Sequence, residues 1–195
     1  MNLAIFDFDN TITCKDSLID FIYYTVGPLR FFEGVLCLTP LLIFHKLGLI
    51  ANDKIKETAL SHFFKNWEQE RFATSVSLYS QKYLPAIIRE SALQKIHWHQ
   101  NQGHKIVIVS ASLENYLIGW CRHINAELLA TELEFKEGRF SGKLATPNCY
   151  GQEKIRRLQK HYDLKKFDYI YAYGDSQSDL VLKSIANEFH FRIFQ

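Results

Sequence analysis

Residues 3–11 read LAIFDFDNT. Leu3 to Phe8 is a short apolar run closed by acids. It fits a strand buried on both faces, as in a parallel sheet, better than a half-buried strand with alternating polarity. Asn10 and Thr11 follow as turn residues. Similar runs recur far down the chain. Lys105 to Val109 (KIVIV) comes after Gly103 and ends at Ser110-Ala111-Ser112, and Tyr169 to Tyr173 (YIYAY) stops at Gly174-Asp175. Helical spacing covers Leu113 to Ile124, Gly151 to Tyr162 and Gln177 to Ile185. Glu127 to Thr131 and Phe189 to Ile193 read as short strands, and Phe135 to Leu144, with Gly138 and Gly142, as a hairpin. Strands alternating with helices predict an α/β fold with a mostly parallel sheet.

The stretch from about Lys15 to Ser91 breaks that alternation. It carries helical periodicity and no strand, as in Ile55, Ala59, Leu60 and Phe63, or Phe72, Val76, Tyr79 and Tyr83. Asp16 or Ser17 is placed to cap its first helix. The expected organisation is a core of residues 1–14 and 92–195, with residues 15–91 inserted as a helical cap.

Composition narrows the function classes. The 195 residues are 47% hydrophobic, enough for a real core. The net charge of +2 carries no basic or acidic block, so a nucleic-acid partner is not expected. Cys14, Cys37, Cys121 and Cys149 lack C-x-x-C spacing and read as reduced thiols rather than zinc or redox ligands. Asp7 and Asp9 interrupt the first apolar stretch, and no basic segment precedes it, so a signal peptide is not expected and the protein is read as cytoplasmic.

In open parallel sheets, ligands sit beyond the carboxyl ends of the strands. Three polar clusters fall there: Asp7 to Thr11, Ser110 to Ser112, and Gly174 to Asp179. In the first, two carboxylates two residues apart allow one to attack an electrophile while the other moves a proton. Close carboxylates repel, and a cation would relieve them; Mg²⁺ suits carboxylates that share a site with a phosphate. On its own, D-x-D-x-T is also what an acidic turn looks like. The hydroxyl of Ser110 and the backbone around Ala111 can hold phosphate oxygens, although Ser110 equally reads as a helix cap, as does Ser112. Lys154 lies in the first turn of a helix, against the helix dipole, which hints at a partner anion; Arg156 and Arg157 read as surface charges. Asp175 follows its strand directly. Asp179, one turn on, is placed to support it.

Taken in order, these clusters resemble the haloacid dehalogenase superfamily of phosphatases, and the resemblance spans nearly the whole chain. It implies a Rossmann-like core with a helical cap of the phosphoserine-phosphatase-like branch. It also implies roles. Asp7 is the nucleophile that forms an aspartyl-phosphate. Asp9 is the acid/base, and its backbone carbonyl binds Mg²⁺ together with Asp7 and Asp175. Thr11, Ser110, Ala111 and Lys154 serve the phosphate, and Asp179 backs the metal site.

The cap departs from the phosphoserine phosphatases. It lacks their F-E-x-S-L-R-x-R-V stretch, and Thr13-Cys14-Lys15-Asp16 stands where they carry a glutamate. Asp16 reads as a helix cap instead. Val26 to Ile50 is mostly apolar, with no charge from Gly34 to Phe44, which resembles the caps of bacterial phosphatidylglycerophosphate phosphatases. Pro40 and the flanking charges argue against a membrane span. The segment is expected either to pack on its own core or to touch a membrane at its inner face. The expected substrate is a small-molecule or lipid phosphomonoester; a soluble phosphoserine-like ester, or lipid binding with vestigial catalysis, are the alternatives. His97 and His99 read as surface or structural residues.

Overall fold

In the computed structural model, which describes residues 1–195, the first strand is the middle of the molecule. β1 (Leu3–Phe6) pairs in parallel with β2 (Lys105–Leu113) on one side and β6 (Ile170–Gly174) on the other, with Leu3 opposite both Lys105 and Ile170. β3 (Glu127–Thr131) and β7 (Glu188–Phe191) close the edges, giving the order β3-β2-β1-β6-β7. The α/β fold with a parallel sheet is therefore as the sequence indicates.

Alternate residues of β1 serve different cores, as the two-residue period of a strand requires. Leu3 and Ile5 pack with Val107, Val109, Ile170 and Ala172 beneath α7 (Gln152–His161). Ala4 and Phe6 pack with Ile106, Ile108 and Tyr173 on the other face, beneath α5 (Glu90–Asn101) and α6 (Glu114–His123). His99 is buried there, with Nε2 at 2.8 Å from the Tyr173 hydroxyl and Nδ1 at 2.8 Å from Nδ1 of His104. Its role is structural, and burial holds it down to about 3.

Some boundaries move from their sequence positions. β1 ends at Phe6, yet the Asp7 N–H still donates to the Tyr173 carbonyl at 2.9 Å. β2 runs on through Ser110-Ala111-Ser112 to Leu113, with a register shift between Val109 and Leu113. The hairpin starts earlier, as β4 (Leu133–Lys136) and β5 (Arg139–Leu144). The segment Gln177–Ser184 is a 3₁₀ helix, tightened by a capping box between Ser176 and Asp179.

Residues 15–91 form α1 (Ser17–Val26), α2 (Pro28–Lys46), α3 (Asn52–Phe64) and α4 (Gln69–Leu78), a π turn over Tyr79–Tyr83 and a 3₁₀ turn over Leu84–Ile87. Asp16 caps α1 by accepting from the N–H groups of Leu18 and Ile19, both at 3.0 Å. The two chain segments that join this block to the sheet run side by side: the Cys14 N–H donates to the Ile87 carbonyl and the Arg89 N–H to the Ile12 carbonyl. The hairpin packs with the helical block, placing Phe135 and Phe140 against Phe72.

Of the two expectations for the apolar segment, burial in its own core is overturned. α2 is one helix of 19 residues that continues through Pro40, and only Gly34 in it is buried. Gly34 lets α2 lie close on α3, because a Cβ there would stand 2.2 Å from the Phe63 ring. Phe31, Leu38 and Leu41 are half-buried, and most of the rest faces outward, with Leu29 82%, Phe32 64% and Leu36 75% exposed. The helix is long and apolar enough, by length and composition, to cross a membrane.

Candidate active site

The acids gather where the three central strands end. Asp7 leaves β1, Asp175 leaves β6, and Asp179 projects back from the 3₁₀ helix; ligand atoms of all three lie within 4.8 Å of one another. The backbone of Gly174 makes room for this, since a Cβ there would stand 2.4 Å from Cβ of Asp179. The Thr11 hydroxyl stands between two of the acids, 3.2 Å from Oδ2 of Asp7 and 3.3 Å from Oδ1 of Asp175.

Lys154 enters from the first turn of α7. Its side chain is 2% exposed, and Nζ lies 2.5 Å from Oδ1 of Asp7 and 2.5 Å from Oδ1 of Asp179. The lysine that runs against the helix dipole is thus held by two buried anions, whose field raises its pKa despite burial. One ammonium does not balance the acids. Burial, with Asp179 and Asp9 adding repulsion, pushes Asp7 up to about 7 against the pull of Lys154. Burial and Asp179 likewise raise Asp175. Asp179 itself is held low by Lys154 and by hydrogen bonds from Ser176, despite its burial. Carboxylate oxygens crowded with a deficit of positive charge suit a hard divalent cation such as Mg²⁺. Asp7, Asp175 and Asp179 are the acids whose oxygens lie close enough together to hold it.

Asp9 turns its carboxylate away from this cluster. Oδ1 accepts from the Ser17 N–H at 2.7 Å, and Oδ2 accepts from the Ser112 hydroxyl. The Ser17 hydroxyl lies 3.0 Å from that of Ser112 and 3.1 Å from that of Tyr116. Burial, then the charge of Asp16, pushes Asp9 up to about 6, while the Ser112 and Ser17 hydrogen bonds pull it down. A carboxyl poised there exchanges protons near neutral pH. Ser110 is fully buried; its Oγ accepts from the Ser112 N–H at 2.9 Å, and its own proton is given to no protein acceptor.

Five residues were missed or misread from sequence. Ser112 is not a helix cap but a partner of Asp9, and Ser17 with Tyr116 completes that network. Lys56, on α3, reaches the carbonyl of Ala111 at 2.5 Å. Arg157 is no surface charge: it bonds Glu153, Thr146 and the carbonyls of Ala130 and Pro147. Arg156 is exposed and pairs only with Glu153. A cleft of about 820 Å³ lies elsewhere, between α4 and α6, and is lined by Phe72, Val76, Ile118 and Trp120. It shares no residue with the acidic cluster, so donor chemistry rather than cavity size locates the site.

A family model described as haloacid dehalogenase-like hydrolase matches residues 4–182. Protein CicA of Caulobacter vibrioides is 33% identical over 197 aligned residues, covering 99% of this chain and 86% of its own. Among solved structures, a Bordetella pertussis Tohama I protein of unknown function superposes with a TM-score of 0.82 at 20% identity, over 96% of this chain and 88% of that one. A substrate-bound phosphoserine phosphatase gives 0.71 at 19% identity, over 97% and 84%. The likeness to these two structures is one of fold.

Proposed function

The chain belongs to the haloacid dehalogenase-like hydrolases, and from that premise we propose that it is a Mg²⁺-dependent phosphatase acting on a phosphomonoester. The observation that carries this reading is the Lys154 ammonium holding Asp7 at 2.5 Å with the proton-exchanging Asp9 two residues on. Asp7 attacks phosphorus; its new P–O bond forms as the bond to the leaving oxygen breaks. Asp9 gives that oxygen a proton, then takes one from the water that cleaves the aspartyl-phosphate. Lys154 and Ser110 neutralise and orient the phosphoryl oxygens. Thr11 steadies the carboxylates of Asp7 and Asp175, and Asp179 fixes Lys154. A bound Mg²⁺ would add charge neutralisation at the phosphoryl group. The test is Asp7→Asn with an aryl phosphate and Mg²⁺: turnover falls to background, and retained wild-type activity would refute the nucleophile.

We further propose a lipid phosphate, such as phosphatidylglycerophosphate, as the substrate, met at the inner face of the cytoplasmic membrane. The exposed apolar surface of α2 supports this over a soluble phosphoserine-like ester, because Phe32, Leu36, Ile43 and Phe44 lie exposed together on one helix. Arg30 and Glu33 flank the uncharged run on one side and His45 and Lys46 on the other, and the cations Arg30 and Lys46 suit anionic headgroups. Lipid binding with vestigial catalysis is the competing reading. A panel of phosphatidylglycerophosphate and soluble phosphomonoesters decides: equal or better turnover of the soluble esters counts against the lipid, and background turnover of all of them supports vestigial catalysis.

A further inference from the structure

We propose that Lys56 is a positioning residue through which the docked cap orders the phosphate-binding loop. Its ammonium spans two acceptors of the core: the Ala111 carbonyl at 2.5 Å, and Oδ1 of Asn148 at 2.8 Å. The core offers one other donor to the same pair. The Thr131 hydroxyl lies 2.8 Å from the Ala111 carbonyl and 3.0 Å from Asn148 Oδ1. Thr131 and Asn148 are 0% and 2% exposed, so water is excluded from both.

A hydroxyl carries one proton and can satisfy only one of those two acceptors. Its lone pairs are engaged from the other side by the Cys149 N–H at 3.1 Å. The core by itself is therefore one donor short, and the lysine of α3 supplies it. Asn148 also grips the start of α3: its Nδ2 donates to Oδ1 of Asn52 at 2.7 Å, and its N–H to Oδ2 of Asp53 at 3.3 Å. Ala111 lies between Ser110 and Ser112, and Asn148 leads into the helix that carries Lys154. The same contact thus fixes both elements that face the phosphate. When α3 lifts, a buried acceptor loses its partner and the Ser110–Ser112 backbone loosens.

The kinetic side of this role rests on the phosphatase reading; the order of the loop does not. The experiment is amide hydrogen exchange read by NMR, with the β1 amides as the reference for global opening, alongside turnover of an aryl phosphate. In Lys56→Met, the Ala111 and Ser112 amides exchange about tenfold to a hundredfold faster relative to β1. The kcat value falls by a similar factor, with KM little changed. Lys56→Arg restores both, and Asn52→Ala, a milder break in the same contact, moves exchange in the same direction. Unchanged loop exchange in Lys56→Met overturns the proposal. If activity falls without it, the lysine acts on substrate directly. A protein that turns over no phosphomonoester defeats the function but leaves the exchange result to decide this role.

Discussion

Nζ of Lys154 stands 2.5 Å from Asp7 Oδ1 and 2.5 Å from Asp179 Oδ1, all three groups being buried. One ammonium joins the proposed nucleophile to the acid that anchors the last motif. Removing it leaves two carboxylates facing each other without a counter-charge. Lys154→Met is expected to lower the unfolding free energy by about 3–5 kcal/mol, the usual cost of orphaning a buried charge. Denaturant titration measures this. Adding Asp179→Asn should recover part of the stability but none of the turnover; complete additivity of the two substitutions would show that the pair does not interact.

Asp7 makes stability depend on pH. Burial raises its pKa from the ordinary 3.8 to about 7, outweighing Lys154. Between those values the folded protein keeps a proton that the unfolded chain has released, so stability falls as pH rises through the window and levels off above it. In chelator, the melting temperature of the wild type should therefore drop from pH 4 to 7 relative to Asp7→Asn. Millimolar Mg²⁺ should flatten that slope and raise the melting temperature at the alkaline end. Asp175→Asn should abolish the Mg²⁺ response. A wild-type curve parallel to that of Asp7→Asn in chelator would remove the basis for the charge deficit.

Ser112 tunes Asp9, the proposed acid/base. Its hydroxyl donates to Oδ2 of Asp9 and lowers a pKa that burial and Asp16 raise. Ser112→Ala should move the Asp9 inflection in the kcat/KM profile to higher pH and cost about tenfold in rate. A profile with the wild-type inflection would separate Ser112 from proton transfer.

The outer face of α2 should bind lipid without supporting the fold. Phe32 and Leu36 are 64% and 75% exposed. Replacing both with Glu should change stability by no more than about 0.5 kcal/mol. Each side chain contributes about 1.5–3 kcal/mol when it is buried in an apolar phase, so flotation with anionic vesicles should weaken by two decades or more. Turnover of a soluble ester should stay the same. Undiminished vesicle binding would show that the outer face of α2 is not the membrane-contacting surface.

The gathering of the acidic residues was readable because its signals are local. D-x-D-x-T, G-D-x-x-x-D and a lysine set against a helix dipole each sit within a few residues of a strand or helix end. The partners of Asp9 were not readable in that way. Ser17 and Ser112 lie 95 residues apart, and nothing in either neighbourhood shows that they meet. Lys56 has the same difficulty: in α3 it looks like any helical lysine, and only the packing of α3 gives it the Ala111 carbonyl. The apolar run of α2 was visible, but its exposure was not, because Leu and Phe read alike whether a neighbour covers them or not. Pro40 suggested a break, yet an exposed helix tolerates a missing N–H where the freed carbonyl can meet solvent.

The central place of β1 also sets an order of events. The first strand to be synthesised has its two partners at residues 105 and 170, so it waits for most of the chain before either edge is paired. The helices of residues 17–78 also pack on one another, as α2 does on α3, and can form meanwhile, whereas parallel pairing over such separations is slow. During translation the helical segment therefore forms, with the apolar flank of α2 already exposed, before Asp7, Lys154 and Asp179 can meet. The newborn chain has a reason to be sequestered by a chaperone or a bilayer before it has anything to hydrolyse.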